Sequence, residues 1–323
     1  MITRRDNNLL NITWLCEAVQ VSRSGYYAWL ERKDGRDQRE LTDQADFDLV
    51  LQAYHHRRYA KGSRSIRMRL LHMGIIMNRK KIQRLMRKYN LVCSIRKPNP
   101  YRRMAKAKQE NTTKPNILNR EFESKTPKAA ILTDITYIRY GRGKWAYLSV
   151  MKDCCTHQIL SYALSETLAE DFVLETVQQL IQNHDIPKGQ KTLIHSDQGT
   201  HYTAIQFQQL LTKEELRQSM SRKGNCWDNA PQESFFGHMK DELPDLNTID
   251  QFSAVRGILD DYMDYYNNEQ YQWKLAKLAP NQYEEYLKTG VHPLTHLIDT
   301  VAQMPNLPRV LPLQPSWAEG NFD

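Results

Sequence analysis

Three carboxylates in the C-terminal half stand where an α/β fold can gather them. Asp134 interrupts a β-rich run of Ile131, Leu132, Ile135, Tyr137 and Ile138. A charge inside such a strand needs a partner or a metal. Asp197 follows a short apolar strand at residues 192–194, the strand end at which α/β sheets place their ligands. Glu233 falls two positions into a helix opened by Pro231. Three such oxygen donors can hold two Mg²⁺ ions about 4 Å apart, which activate a water or a 3′-hydroxyl and stabilise the leaving oxygen. Phosphoryl transfer then needs no protein nucleophile. Residues 131–323 carry 25 Asp and Glu in all, so from environment alone a metal triad and ordinary surface acids both stand open.

The elements that must position these acids follow from period and punctuation. Strands are expected at 131–139, 145–151 and 158–164, with a turn at Gly141-Arg142-Gly143 between the first two. An amphipathic helix over 169–183 buries Phe172, Val173, Val177, Leu180 and Ile181. The strand at 192–194, a helix near 203–211, a strand near 217–220 and a helix from 231 complete an order β-β-β-α-β-α-β-α. That order predicts an α/β layer fold with a hairpin-built sheet edge. On the last helix Phe235, Phe236, Met239 and Leu243 form the apolar stripe. Asn229, Glu233 and Lys240 lie within about 40° of one another on a polar face about 90° away.

The N-terminal part has a different composition. The chain's net charge of +8 divides into 29 Lys and Arg against 12 Asp and Glu in residues 1–130, and 16 against 25 in residues 131–323. Between Asp48 and Glu110 no acidic residue occurs, and 18 of those 61 positions are Lys or Arg. Such a single-sign stretch predicts a polyanionic partner, whose counterions are released as phosphates are neutralised. A helix carrying Ile12, Leu15, Cys16 and Val19 is expected to bury that face, followed by a helix capped by Ser22 with Tyr26, Tyr27 and Leu30. A second pair starts near Arg64, Ser65 and Arg67 and turns at Gly74. Asn78 then caps a helix with Ile82, Leu85, Met86 and Tyr89 inside and Arg79, Lys80, Lys81, Arg84, Arg87 and Lys88 around the rest. Helix, turn and basic helix is the helix-turn-helix order.

The resulting domain plan is an N-terminal helical region at 1–48, a basic helix-turn-helix domain at 49–97, a basic linker at 98–128, a core at 129–290 and a Pro-rich tail at 291–323. No apolar run reaches membrane-spanning length. The five cysteines include no CxxC pair, which disfavours a zinc site or a disulfide framework and predicts a reducing, cytoplasmic setting.

The segments flanking the acids carry a family resemblance. Leu132-Thr-Asp-Ile-Thr-Tyr137, His195-Ser-Asp-Gln-Gly-Thr-His-Tyr202 and Ser221-Arg-Lys-Gly-Asn-Cys-Trp-Asp-Asn-Ala-Pro-Gln-Glu-Ser-Phe-Phe236 closely resemble the bacterial DDE transposases of the IS-three family. Thirty-five residues lie between Asp197 and Glu233, and Lys240 follows the glutamate by seven. Val21-Ser-Arg-Ser-Gly-Tyr-Tyr-Ala-Trp-Leu30, residues 59–97, Tyr266-Asn-Asn-Glu269 and Leu278-Ala-Pro280 extend the likeness over residues 12 to about 290.

The resemblance implies an RNase H-like, retroviral-integrase-type core preceded by all-α helix-turn-helix domains. It also implies Mg²⁺-dependent (or Mn²⁺-dependent) strand cleavage at transposon ends and joining of a 3′-hydroxyl to DNA, through a circular intermediate. Carried over, Asp134, Asp197 and Glu233 are metal ligands for two ions, and Lys240 is a DNA contact. His195, Tyr202, Arg222, Lys223, Trp227 and Asn229 sit in the signature segments as candidate DNA-facing residues, with packing an open alternative for Tyr202 and Trp227. The implied partners are double-stranded DNA, both terminal repeats and target, and further copies of the chain on that DNA, in the nucleoid of a bacterial cytoplasm. Two departures stand out. Gln270 occupies a position that is often basic in the family, and the chain starts close to the second-frame product, so a first-frame partner or fusion is expected to read the terminal repeats. The reading from another class is a non-catalytic DNA-binding regulator or partner subunit that keeps the fold; its mark would be a missing acid, and all three are present.

Overall fold

The computed structural model describes residues 4–5, 8–9, 11–58, 61–93, 114–122, 124, 126–222 and 226–295. Lys223, most of the basic linker and nearly all of the Pro-rich tail lie outside them. Strands β1 (Arg4–Arg5) and β2 (Asn8–Leu9) pair antiparallel. Helices α1 (Ile12–Ala18) and α2 (Arg23–Glu31) follow, capped by the side chains of Asn11 and Ser22. The face expected on α1 is buried only at Cys16. Val19 is 57% exposed, because the helix ends at Ala18 and leaves it as the C-cap.

Helix α3 (Lys33–His55) runs unbroken through position 48, which corrects the domain boundary expected there. Its C-terminal residues Phe47, Val50 and Ala53 share one core with Ile66 and Leu70 of α4 (Ser63–His72) and Ile82, Leu85 and Met86 of α5 (Arg79–Lys88). The basic domain therefore needs the end of α3 as its third helix. Gly74 turns the chain between α4 and α5 at φ +78°, a backbone conformation that glycine adopts without strain. The Asn78 side chain accepts the Lys80 N–H at 2.8 Å to cap α5.

Strands β3 (Ala130–Tyr140), β4 (Lys144–Asp153) and β5 (Ile159–Ser165) form an antiparallel meander. Helix α6 (Asp171–Asn183) carries the chain to β6 (Leu193–Ser196), which pairs parallel to β3. Helices α7 (Thr200–Thr203) and α8 (Ile205–Lys213) lead to β7 (Arg217–Met220), giving the sheet order β5-β4-β3-β6-β7. The single helix expected at 203–211 is two, because Ala204 takes an extended conformation between them. Helices α9 (Ala230–Glu242), α10 (Phe252–Asn268) and α11 (Pro280–Thr289) complete the order.

Period-two alternation sends β3 into two cores. Ile131 packs with Phe172, Val177, Phe207 and Leu211 of α6 and α8 on one face. Ile138 and Tyr140 pack with Phe235, Met239 and Leu259 of α9 and α10 on the other. The sheet is thus the middle layer of three. The described end of the expected linker is not extended: Leu118 is buried with Ala130, Leu132, Cys154 and Leu193. The Ile117 N–H donates to the Ser219 hydroxyl at 2.9 Å. That stretch satisfies its polar groups on the core and so needs no periodicity of its own.

The helix-turn-helix domain is seated on the core through charges. Arg57 reaches Asp261 at 3.0 Å, Asp264 at 2.9 Å and Glu269 at 2.6 Å. Arg69 meets Glu269 at 3.1 Å, and the His72 ring stacks on Tyr271 at 3.6 Å. Below this contact the Glu242 carboxylate accepts from the Tyr262 hydroxyl at 2.9 Å and from the Gln270 amide at 3.0 Å. Burial pushes Glu242 up to about 7 from 4.5, against the partial relief of Tyr262 and Lys61. The folded state then holds the extra proton between these values, and stability is lost as pH rises through that window. Glu242→Gln should gain up to about 3 kcal/mol at pH 8 and almost nothing at pH 4.5, read by urea unfolding at both. An equal gain at the two pH values would place the titration elsewhere.

Candidate active site

The pairing of β3 with β6 sets the site. Ile131 faces Ile194 and Leu132 faces His195 in parallel register, so two residues further along each strand come Asp134 and Asp197, at neighbouring strand positions. The Asp134 carboxylate accepts the Ile135 N–H at 2.8 Å and the Asn229 amide at 3.1 Å. That second bond ties the start of α9 to β3, and Glu233 stands one turn further along the same helix, in its exposed first turn. An acid there also meets the favourable end of the helix dipole. Asp197 bends back to accept the Gly199 N–H at 2.8 Å. A Cβ on Gly199 would stand 2.8 Å from the Asp197 Oδ1, so a side chain at 199 would displace that carboxylate from its place.

As placed, no three His, Cys, Asp or Glu side chains among the described residues converge closely enough to hold an ion. The elements bring the three carboxylates to one end of the sheet without pressing them together. The donor chemistry nevertheless suits a hard cation. The three acids supply oxygen, and the buried Oδ1 of Asn229, beside Asp134, has no hydrogen-bond partner. An all-oxygen set of this kind matches Mg²⁺ or Mn²⁺ better than a metal preferring nitrogen or sulfur.

Several residues expected to face DNA are instead structural. His195 is wholly buried, with Nδ1 at 2.9 Å from the Ser219 hydroxyl and Nε2 at 2.9 Å from the Asp228 carbonyl. Burial holds its pKa below the usual value, which favours the neutral ring. Asn229 is buried against Asp134 because the residues before α9 form a 3₁₀ turn tucked under the sheet end. It therefore leaves the polar face that Glu233 and Lys240 share. Tyr202 is also buried, its hydroxyl 3.3 Å from that of Thr133. Burial raises its pKa far above the ordinary value, with the Asp134 and Asp197 charges adding to the effect. Tyr202→Phe should leave DNA affinity and its salt dependence unchanged while lowering stability by about 1 kcal/mol. A loss of affinity on titration with duplex, in a variant that melts normally, would return the phenol to the DNA interface.

Arg222 is exposed but committed: its guanidinium grips the fully buried Asp228 at 2.9 Å, and Arg120 meets the same carboxylate at 2.7 Å. Asn116 adds a third side-chain donor at 2.9 Å. Arg222 foremost, and Arg120 with it, hold Asp228 well below the usual carboxylate range. Asp228 thus clamps the 114–122 segment and the β7 exit to the turn before α9. It went unrecognised in the sequence because nothing distinguishes Trp-Asp-Asn-Ala from a solvated turn. Lys240 and Trp227 remain on the surface, Trp227 at 60% exposed.

In the helix-turn-helix domain the basic residues divide. Arg84 pairs with Asp43 at 2.6 Å, Lys88 with Asp43 at 2.8 Å and with Glu40 at 2.5 Å, and Lys81 with Asp46. Three of the expected phosphate contacts are therefore matched to acids of α3. Arg67 is half-buried beside Trp273 and Lys277, and burial depresses its pKa. Arg64, Arg79, Lys80 and Arg87 make no ion pair with described residues, and Arg64, Lys80 and Arg87 are exposed.

Residues 125–226 and 214–280 each match a family model described as an integrase core domain, and residues 41–99 match one described as an HTH-like domain. The chain is 32% identical over 273 residues to the putative transposase InsK for insertion sequence element IS150 of Escherichia coli (strain K12), covering 83% of this chain and 92% of that protein. It is 27% identical over 279 residues to the transposase InsF for insertion sequence IS3A of the same organism, covering 85% and 94%. Among solved structures, the HTLV-2 integrase catalytic core domain in complex with magnesium aligns at a TM-score of 0.39 and 15% identity, covering 49% of this chain and 96% of that one. Relatives matched over nearly their full length, with both domain models in their expected places, settle the assignment. The chain belongs to the IS3 family of insertion-sequence transposases, with an RNase H-like integrase core behind a helix-turn-helix-like domain.

Proposed function

We propose that this transposase cuts DNA at the ends of its element and joins the freed ends to new DNA at Asp134, Asp197 and Glu233. The observation that carries the reading is the register of β3 against β6, with Asn229 bridging from α9 to Asp134. In cleavage, a water oxygen bonds to the phosphorus at the element's end, the bond to the 3′ oxygen breaks, and that oxygen leaves as a hydroxyl. In joining, this hydroxyl attacks a second phosphodiester and displaces its 3′ oxygen in turn. Asp134, Asp197 and Glu233 would hold the divalent ions, two Mg²⁺ or Mn²⁺ per site. When bound, such ions lower the pKa of the attacking oxygen and stabilise charge on the leaving one. The chain's own part is to fix the acids: the Ile135 and Gly199 N–H groups orient two of them and Asn229 aligns the helix bearing the third.

The DNA partner follows from the helix-turn-helix-like domain and its unpaired cations. Terminal repeats and target as two distinct substrates, an oligomer assembled on them, a first-frame partner and residence in the nucleoid belong to the same reading, and the family supports them. No helix among the described residues is long and apolar enough to cross a membrane. A strand-transfer assay on transposon-end duplex with Mg²⁺ tests the function: joined products are expected, and their absence in a folded, DNA-bound protein would favour a regulator that kept the fold.

A further inference from the structure

A second group of charges lies on the sheet face that carries Asp134. Lys152 faces Leu132 across the antiparallel ladder, as Val150 faces Asp134. Alternate side chains of a strand share a face and stand about 7 Å apart, so Lys152 is one row from Asp134, on the side that α9 covers. It is 5% exposed. Its ammonium makes one hydrogen bond, to the Pro231 carbonyl at 3.3 Å in the first turn of α9, and lies 5.7 Å from the centre of the Phe235 ring. No carboxylate among the described residues pairs with it. A buried ammonium with most of its donors unused is unfavourable on its own.

Lys152 opens onto a cavity of about 710 Å³ whose walls include Arg120, His157 and Lys274. Two acids border it and neither answers the lysine. Asp153 is fully buried and turned away, accepting from the Lys128 N–H at 2.9 Å and the Thr156 hydroxyl at 2.7 Å. Glu121 is exposed at the rim. The chamber thus adjoins the start of the helix bearing Glu233, and the Lys152 ammonium that opens onto it meets no acceptor there among the described residues beyond the Pro231 carbonyl.

We propose that this cavity is a phosphate site, in which Lys152 and Lys274 hold a backbone phosphate of the DNA strand next to the one attacked beside Asp134. The assignment rests on the strand-cutting reading above and adds a contact that fixes how far the strand is drawn past the acids. A small free anion shares the same chemistry, so both sources are tested.

The experiment measures binding of a fluorescent transposon-end duplex across a salt series in EDTA, where no strand is cut. Lys152→Gln and Lys274→Gln should each lower the slope of log affinity against log salt by about 0.9, the value of one phosphate contact, and Lys152→Arg should restore it. Lys274 is exposed, so its variant carries the test even if Lys152→Gln disturbs folding. In parallel, acetylation of Lys152 by acetic anhydride is followed by mass spectrometry with duplex or inorganic phosphate present. Protection by the duplex is expected. Protection by inorganic phosphate alone, or unchanged slopes with no protection, overturns the assignment. Failure of the wild type to join strands while these slopes and protections hold would sink the transposase reading and leave the phosphate site standing.

Discussion

Asp197→Asn should lower strand transfer by about 10³-fold or more, the scale of the several kcal/mol that bound metal contributes to a transition state. The substitution removes a charge and little else. An asparagine oxygen in the same place still accepts the Gly199 N–H that now meets Asp197 at 2.8 Å, so the turn into α7 keeps its shape. Asp134→Asn should behave alike, because its backbone contact to Ile135 also needs only an oxygen. Glu233→Gln sits on an exposed helix face and disturbs no core. All three variants should bind transposon-end duplex in EDTA with wild-type salt dependence, since the cations assigned to phosphate lie elsewhere. Strand transfer within tenfold of wild type in the Asp197 variant would remove the carboxylates from the chemistry.

That the acids could be found at all reflects how sheets work. A lone Asp in an apolar strand and another just past a buried strand are legible because period two and strand length are local properties, and the helix after Pro231 is equally local. What no local pattern carries is the partner across the fold. His195 and Tyr202 sit in the signature segments beside Asp197, yet one is bonded into the β7 exit and the other under β3. Both are buried in the fold beside the acids. Asn229 likewise reads as a surface residue on a helical wheel, and only the 3₁₀ turn before α9 turns it inward. The Asp228 clamp depends on Arg120, more than a hundred positions away. Even the boundary at residue 48 failed for this reason: the charge pattern changes there, whereas the core of the basic domain takes Phe47 from the acidic side.

The same principle sharpens what the acid-free stretch is for, and it leads to the second large effect. Eighteen cations in 61 positions look like one DNA-binding surface when charge is counted along the chain, but acids need not be neighbours in sequence to neutralise them. Arg57 and Arg69 are taken by Asp261, Asp264 and Glu269 of the core. Lys81, Arg84 and Lys88 are taken by Glu40, Asp43 and Asp46 of α3. A cation already paired releases few counterions on meeting phosphate, so the salt dependence of binding should follow the unpaired set.

The combined variant Arg79→Gln, Lys80→Gln, Arg87→Gln should therefore lower the slope of log affinity against log salt by up to about 2.7, three contacts' worth, and leave the domain as stable as before. Arg84→Gln should do the reverse. It strips two hydrogen bonds of 2.6 Å from Asp43, a carboxylate that Arg84 and Lys88 hold well below its usual range. A depressed folded value contributes stability above the unfolded pKa that is lost as pH falls through the folded one. Arg84→Gln should then flatten the acid limb of the domain's unfolding curve and lower its melting temperature near neutral pH, with little change in slope. Duplex titrations across a salt series, alongside thermal melts at neutral and acidic pH, read both quantities. If Arg84→Gln cut the salt slope as deeply as the triple variant while melting normally, the α3 pairs would be exchanged for phosphate on binding, and α5 would present its whole circumference of charge to DNA after all.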